Sequence, residues 1–328
     1  MKQLRPGGEI TFKSFDPASL TPTRVTLRAL RVEPFRRGDH DEPATVLATD
    51  YQGITVHSWV AKDGTLLRQE TPLGWTLEAC TADEALATIH QGVETGDMVA
   101  DLAVRVTGEI QNPRKCAQVR LRLTGAELSA EHLSSPRQHV ESVTPDGLVL
   151  VVNRGAMPAV PDEAPLGDAE RAELLAATPF LQSTAPEIIA QAKSIVGDRT
   201  SPREQALAIF EWVHANVRKE MTVSLPSALD VLKTRSGDCN EHTYLFVALA
   251  RAAGIPAKVM VGLAYNEGAF YYHAWPAVYL GAWVEMDPTW GQATVDATHI
   301  RVTEGELDRQ VDIIKLVGRL RIEILGES

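Results

Sequence analysis

Alternation of hydrophobic and polar positions runs through the first half of the chain. Residues 118–123, QVRLRL, place valine and leucine on one face of a strand and arginine on the other. Asp-Gly pairs at positions 63–64 and 146–147 border strand-like runs and indicate tight hairpin turns. The regular spacing of short strands predicts an antiparallel sheet over residues 1–154, built as a sandwich or a partial barrel. The sequence assigns no chemistry to this β-rich N-terminal domain.

A proline-rich segment separates this region from one with helical periodicity. Residues 155–168, GAMPAVPDEAPLGD, carry three prolines and predict a linker. SPRE at residues 201–204 is a capping box with proline at the first helical position. The helix that follows should bury one stripe of side chains, namely Ala206, Ile209, Phe210, Val213 and Val217. Residues 169–328 are therefore expected to form a second domain that contains helices, so the predicted fold class is α+β.

The third cysteine of the chain lies at the start of a further helix. In SGDCNEHTYLFVALARAAGIP, residues 236–256, Asp238 and Glu241 form a capping box that makes Cys239 the first helical residue. Gly254 ends the helix. The positive end of the helix dipole stabilises a thiolate at this position, but the two acidic residues oppose it. Activation of the thiol therefore requires a cationic partner.

A hairpin downstream supplies that partner. Residues 270–290 read FYYHAWPAVYLGAWVEMDPTW, which predicts two strands joined by a tight turn. A loop at residues 279–281, with Gly281 in the left-handed position, centres the pairing on Leu280. His273 then lies directly opposite Asp287, within reach of a hydrogen bond between imidazole and carboxylate.

The three residue types suit a nucleophile, a base and an orienting carboxylate, in the order Cys239, His273 and Asp287. His273 is predicted to hold the proton as an imidazolium beside the Cys239 thiolate, and Asp287 to fix the ring tautomer. The backbone N–H of Cys239, a free donor at a helix start, is one predicted oxyanion donor. The sequence identifies no second donor.

Three blocks carry a resemblance to a known family. AIFEWVHANV with SALDVLKTRSGDC, then GDCNEHT, then YYHAWPAVYLGAWVEMDPTW, resemble the bacterial form of the transglutaminase-like superfamily over about residues 183–299. The resemblance implies a papain-like core in which a central sheet packs on the cysteine helix. It also implies Cys239, His273 and Asp287 as catalytic residues, and no cofactor.

The activity implied by this resemblance is cysteine-dependent acyl transfer or hydrolysis at amide bonds of a peptide or protein, through a thioester. The bacterial pattern favours a peptidase or amidase. A transglutaminase that uses an amine acceptor is the alternative. A non-enzymatic alternative is a module that binds a peptide or a partner. Its signature would be a triad in which a catalytic residue is replaced.

Other residues near Cys239 have competing interpretations. His242 follows it by three positions and is a second candidate base, although a structural role is favoured. Cys239, His242 and His273 lack a fourth ligand at a spacing typical of zinc sites, so no metal is expected. Among the aromatic residues of the hairpin, Trp290 is the preferred candidate to line an acyl-binding cleft.

Composition and charge narrow the function classes. A chain of 328 residues with 44% hydrophobic and 23% charged residues is typical of a soluble protein of two domains. The net charge of -11 argues against a nucleic-acid surface. No apolar run approaches the roughly 18 residues of a membrane span. The sequence indicates no oligomeric state.

The N-terminus and the remaining cysteines bear on localisation. Residues 1–20 lack the apolar core of a signal peptide. Our hypothesis is that a longer natural N-terminus precedes Met1, which would favour the envelope or periplasm; otherwise a cytoplasmic location is expected. Three cysteines are too few for a disulfide framework. Cys80 and Cys116 are predicted as buried free thiols, and a disulfide between them in an oxidising compartment is the alternative.

Overall fold

The computed structural model divides the chain into two compact units. Residues 1–103 and 314–318 form the first, and residues 104–313 and 319–328 form the second. The structure describes residues 4–16, 21–37, 40–51, 54–70, 76–90, 103–126, 128–158, 166–220, 227–306, 313, 316 and 319–328.

The first unit contains an antiparallel sheet of six strands, in which each strand pairs with the next along the chain. The turn predicted at Gly64 joins the fourth and fifth strands, and its φ of 95° is one that glycine adopts readily. Ala44, Ala61 and Leu67 form a small buried cluster on this sheet. The elements are β1 (Glu9–Asp16), β2 (Thr21–Arg37), β3 (His40–Tyr51), β4 (Ile54–Ala61), β5 (Leu66–Glu70), β6 (Thr76–Glu78) and α1 (Ala82–His90).

The second unit is built on a mixed sheet of nine strands in the order β16-β13-β14-β7-β17-β8-β10-β9, with β15 paired to β14. Within this sheet β17 and β7 pair in parallel. The strands are β7 (Val104–Thr107), β8 (Gln118–Thr124), β9 (Gln138–Thr144), β10 (Gly147–Asn153), β13 (Ala257–Asn266), β14 (Ala269–Tyr279), β15 (Trp283–Glu285), β16 (His299–Glu304) and β17 (Arg321–Glu327). Two short strands, β11 (Arg218–Lys219) and β12 (Ser236–Gly237), pair separately.

The compact units divide earlier in the chain than the domain boundary predicted at residue 154. Strands β7–β10 join the sheet of the second unit because β7 pairs with β14 and β17 pairs with β8. A local strand pattern does not determine which sheet a strand enters. Within the predicted linker, residues 159–165 lie outside the described residues. Independent folding of residues 1–154 and 169–328 stays a prediction.

Helices cover the sheet around one central, buried helix. They are α2 (Ala130–Leu133), α3 (Asp168–Leu175), α4 (Pro186–Val196), α5 (Pro202–Asn216), α6 (Ala228–Thr234) and α7 (Cys239–Ala252). Helix α7 is buried from Glu241 to Ala250 and packs between β14 and helices α4, α5 and α6. The predicted stripe of α5 is buried as expected. No helix among the described residues is long and apolar enough to cross a membrane.

The fold class is therefore α+β, as predicted, with a β-rich antiparallel region at the N-terminus. All three cysteines are free. Cys116 is buried, but the prediction of burial is wrong for Cys80, which is exposed just before α1. Cys239 is partly exposed, at the end of the most buried helix.

Candidate active site

The start of α7 has the capping box that the sequence predicts. The Asp238 carboxylate accepts the Asn240 backbone N–H at 2.8 Å, and Glu241 Oε2 accepts that of Asp238 at 3.0 Å. Cys239 is consequently the first residue of the helix. Gly237 is needed for this arrangement, because a Cβ at that position would lie 2.2 Å from the Glu241 Cβ.

One strand, β14, lies against the cysteine. Thr243, one helical turn after Cys239, donates its hydroxyl to the Ala274 carbonyl oxygen at 3.1 Å. The Ala274 backbone also hydrogen-bonds to the Cys239 thiol. Because Ala274 directly follows His273, the thiol lies beside the strand segment that carries the imidazole.

His273 and Asp287 form a buried pair. His273 Nε2 lies 2.9 Å from Asp287 Oδ2, and the two residues are 4% and 0% exposed. A carboxylate oxygen accepts but does not donate, so the proton of a neutral His273 lies on Nε2. The second ring nitrogen, Nδ1, is then unprotonated.

The pairing of strands in the hairpin that brings His273 and Asp287 together differs from the predicted pairing. Tyr279 pairs with Trp283, so the loop comprises residues 280–282 and the pairing centres on Gly281 instead of Leu280. Gly281 has the predicted positive φ, at 90°. Strand β15 ends at Glu285, and Asp287 lies beyond it in a turn closed by backbone hydrogen bonds with Gln292. The prediction that Asp287 lies directly opposite His273 in the ladder is therefore wrong, although the two side chains meet.

Trp290 covers the imidazole. Its ring stacks on that of His273 with centroids 4.3 Å apart and planes 14° apart. Its backbone N–H donates to Asp287 Oδ1 at 3.0 Å. The Arg114 guanidinium lies 3.9 Å from the centre of the Trp290 ring. Trp290 thus shields the His273–Asp287 hydrogen bond, a position distinct from the predicted lining of an acyl cleft.

The sequence patterns miss a second histidine on the same carboxylate. His299, the first residue of β16, has its Nε2 3.2 Å from Asp287 Oδ2 and its Nδ1 3.2 Å from Asp296 Oδ1. Asp296 in turn accepts from Arg114 Nη1 at 2.8 Å. Asp287, Asp296 and His299 are each 0% exposed. The signal available in the sequence is DATH at residues 296–299, an acid and a histidine three positions apart just after the hairpin.

Two arginines reach this cluster from the region before residue 154, to which the sequence assigns no chemistry. Arg114 is described above, and Arg137 donates through Nη2 to Glu285 Oε2 and to the His299 carbonyl oxygen, both at 2.8 Å. These contacts form because β8, β9 and β10 belong to the same sheet as β13 and β14.

The electrostatics favour a neutral resting pair. Burial raises the pKa of the Cys239 thiol well above its ordinary value, and the Asp238 carboxylate raises it further. Burial lowers the pKa of His273, although Asp287 acts in the opposite direction. These directions favour a neutral thiol beside a neutral imidazole. The thiolate and imidazolium pair stays a prediction.

The carboxylates of the cluster are held ionised. Burial alone would raise the pKa of Asp287, but His273 and His299 bring it well below the usual range. The pKa of Asp296 is lowered in the same way by His299 and Arg114. Asp238 behaves differently, because burial and the neighbouring Glu241 raise its pKa to about 7.

His242, the competing base, has both ring nitrogens directed at backbone carbonyl oxygens. Nδ1 lies 2.7 Å from that of Asp238, and Nε2 lies 3.2 Å from that of Val217. The residue is fully buried. His242 therefore links α7 to the end of α5, which agrees with the structural role favoured for it.

Among the described residues, His273, Asp287 and His299 are the group whose potential metal-binding atoms converge, all within 4.8 Å of one another. Each of these atoms already takes part in a hydrogen bond with another of the three. A metal ion would have to replace the proton on both imidazoles. The set is better described as a carboxylate between two N–H donors.

Comparison with known proteins agrees with this geometry. Residues 189–288 match the family model of the transglutaminase-like superfamily, a segment that contains Cys239, His273 and Asp287. This segment is thus similar to a transglutaminase-like core. The match confirms the resemblance seen in the three sequence blocks, and it ends before Asp296 and His299.

Two curated proteins are similar to part of this chain. Mouse kyphoscoliosis peptidase is 32% identical over 122 residues, which is 31% of this chain and 18% of the mouse protein. An uncharacterised protein of Haemophilus influenzae is 33% identical over 113 residues, 30% of either chain. The matching segment thus spans less than a third of the length of these relatives.

Solved structures with a partial likeness include a proposed cysteine protease from Cytophaga hutchinsonii. It has 17% identity and a TM-score of 0.43, over 67% of this chain and 82% of that one. The periplasmic domain of TgpA from Pseudomonas aeruginosa has 19% identity and a TM-score of 0.35, over 55% and 91% of the two chains. With TM-scores below 0.5, neither likeness adds to the family assignment.

Proposed function

We propose that this protein is a cysteine-dependent enzyme that cleaves or transfers acyl groups at amide bonds. Cys239 is the nucleophile, His273 the proton acceptor and donor, and Asp287 the carboxylate that orients the imidazole. The observation that carries the proposal is the buried 2.9 Å His273–Asp287 hydrogen bond on a strand whose next residue, Ala274, contacts the Cys239 thiol. These are the three residue types that thiol acyl transfer requires.

The reaction begins from the neutral pair. His273 accepts the Cys239 proton on Nδ1 as the sulfur attacks the carbonyl carbon, while Nε2–H donates to Asp287. The negative charge on the former carbonyl oxygen is stabilised by the Cys239 backbone N–H at the positive end of α7. The imidazolium then gives its Nδ1 proton to the leaving nitrogen as the C–N bond breaks. The products of this half-reaction are a free amine and a thioester on Cys239.

Water or an amine completes the cycle. His273 removes a proton from the incoming nucleophile, which attacks the thioester, and the proton returns to the thiol as the C–S bond breaks. We favour water, and therefore a peptidase or amidase acting on a peptide or protein. The name of the mouse relative supports this preference, at 32% identity over the shared core. Transfer to a primary amine is the competing outcome.

Incubation with a peptide library, with and without a primary amine, tests the proposal. Mass spectrometry should detect cleaved peptides, and no products that contain the amine. Cys239→Ala should abolish turnover, and Asp287→Asn should lower kcat by about 10²–10⁴-fold. Products that contain the amine would identify a transglutaminase instead.

A thiol-reactive probe separates the enzyme from a binding module. Iodoacetamide modification of Cys239 should be slower in His273→Ala than in the native chain at neutral pH, because the imidazole no longer accepts the proton. Exposed Cys80 serves as the internal reference thiol, read on its own peptide. Equal rates in the two proteins, together with no turnover of any peptide, would contradict the enzyme proposal.

A further inference from the structure

One carboxylate oxygen is shared by two imidazoles. Asp287 Oδ2 lies 2.9 Å from His273 Nε2 and 3.2 Å from His299 Nε2. Because an ionised carboxylate only accepts hydrogen bonds, each of these nitrogens must carry a proton. Nothing in the proposed chemistry requires the second imidazole, and it lies outside the segment that matches the family model.

The protons on His299 follow from its surroundings. Its other nitrogen, Nδ1, lies 3.2 Å from Asp296 Oδ1, which is also a carboxylate oxygen. The remaining bonds to Asp296 Oδ1 come from the Thr298 N–H and hydroxyl, which further favour the ionised form. With a carboxylate at each ring nitrogen, His299 bears two protons and a positive charge. The pKa of His299 is accordingly raised by Asp287 and Asp296 in spite of its burial.

The charges of the cluster balance when His299 is an imidazolium. Two carboxylates, Asp287 and Asp296, then face two cations, His299 and Arg114. A further buried pair, Arg137 just before β9 and Glu285 in β15, is neutral as a unit and lies against the same histidine. His273 is left as the group that can gain or lose a proton in response to the thiol.

The two imidazoles are close enough to influence one another. Their ring centroids are 5.6 Å apart, and both rings contact Trp290 and Trp275. In this enclosed site a positive charge on His299 disfavours a second one on His273. It also competes with His273 for the negative charge of Asp287.

We propose that His299 is a positioning residue that stays protonated, holds Asp287 through its Nε2–H, and by its charge keeps His273 unprotonated until the thiol proton arrives. Asp296 and Arg114 maintain that charge state. The role assigned to His273 depends on the proposed function, whereas the protonation of His299 does not.

Nitrogen-15 NMR of the full chain with labelled histidine tests the charge state directly. Signals are assigned by their loss in His273→Ala and His299→Gln. Both ring nitrogens of His299 should show the protonated pattern across about pH 6–8, while those of His273 show a single tautomer at the upper end of this range. A His299 spectrum with one protonated nitrogen at neutral pH would overturn the proposal.

Two substitutions separate charge from geometry. His299→Gln keeps an N–H near the position of Nε2, and His299→Asn keeps one near the position of Nδ1, while both remove the charge. If the charge matters, the titration of His273 moves upward in both variants by roughly one to two pH units. A shift in the Asn variant alone would reduce His299 to a geometric support and overturn the electrostatic role.

Two controls allow these outcomes to be interpreted. Circular dichroism shows whether each variant is folded. The nitrogen-15 spectrum of the native chain reports the charge state of His299 even if neither variant folds. Turnover of peptides is measured separately. A protonated His299 with no peptide turnover would contradict the proposed function but support the charge state inferred for His299. Peptide cleavage by a chain with a neutral His299 would support the proposed function and overturn that charge state.

Discussion

Asp287 is the single residue at which the candidate site converges. Its two oxygens accept hydrogen bonds from His273, His299 and the backbone of Trp290, and its side chain is wholly buried. A buried carboxylate is tolerated when each of its oxygens is hydrogen-bonded and opposite charge is near. Proline at position 288 and the turn closed by Gln292 fix the backbone that presents it. The site is therefore organised around an anion, with the Cys239 thiol, the proposed nucleophile, beside it.

Asp238 gives a prediction on stability against pH. Its pKa is about 7 in the folded chain, against about 3.9 when unfolded, so the folded state binds the proton more tightly. The contribution of Asp238 to the free energy of unfolding should then be largest below about pH 4. It should be lost as the pH rises to 7 and above, by up to roughly 4 kcal/mol. Asp238→Asn retains an N-cap acceptor and should remove this dependence.

Urea unfolding at about pH 5 and pH 8 measures the effect. Between the two pH values, the native chain should lose stability relative to the Asn variant. Asp238→Ala is the control, because it also removes the charge but gives up the cap, at about 1 kcal/mol at both values. An identical decline in the native chain and the Asn variant would show that another group titrates.

At the scale of elements, local signals predict where α5 and α7 begin, although Ser201 makes no side-chain capping hydrogen bond, so the capping box predicted for α5 is wrong. The capping box fixes Cys239 at the start of α7, and the spacing of apolar residues gives the buried face of α5. The centre of the β14–β15 hairpin is missed by one residue, which shifts every cross-strand partner by two. The reason is that an odd loop with a left-handed glycine can centre on either Leu280 or Gly281. His299 is missed because it approaches Asp287 from a different strand, and only tertiary packing brings the two together.

Gly237 gives a prediction on the element that presents the thiol. Gly237→Ala would place a Cβ 2.2 Å from the Glu241 Cβ, which opens the capping box at the start of α7. We expect a loss of about 1–3 kcal/mol in the free energy of unfolding and slower modification of Cys239. Urea unfolding and peptide-resolved alkylation measure the two effects.

Gly254, at the other end of the same helix, provides the matched control. It has a φ of 81°, and no heavy atom lies within 4 Å of the position that a Cβ would occupy, so Gly254→Ala should strain only the backbone. The loss of stability should be about 1 kcal/mol, and the alkylation rate of Cys239 should not change. Equal alkylation rates in the two variants would show that the reactivity of the Cys239 thiol does not depend on the capping box.

At the scale of the whole molecule, the site depends on sequence far from the family core. Arg114 and Arg137 hold Asp296, Glu285 and the His299 backbone from the segment between β7 and β10. Sequence patterns show that these stretches are strands but not which sheet they join. The matched segment therefore contains Cys239, His273 and Asp287, and the residues before it complete the charge balance around them.

Two shortened chains test where the functional unit begins. Residues 104–328 retain every strand of the nine-stranded sheet and both arginines, and should unfold cooperatively with the Cys239 alkylation rate of the full chain. Residues 155–328 lose β7–β10 and should show no cooperative transition, because Leu121, Leu150 and their neighbours are core residues. Thermal unfolding by circular dichroism measures both, and cooperative unfolding of the shorter chain would support the boundary predicted at residue 154.

The raised pKa of the Cys239 thiol has a consequence for the lifetime of the protein. Peroxide oxidises thiolates far faster than thiols, and the first product, a sulfenic acid, proceeds to irreversible acids. A sulfur that keeps its proton, next to the acidic groups of Asp238 and Glu241, is a poor target for such oxidants. The same acidic cap that slows ionisation would thus preserve the nucleophile through periods of oxidative stress.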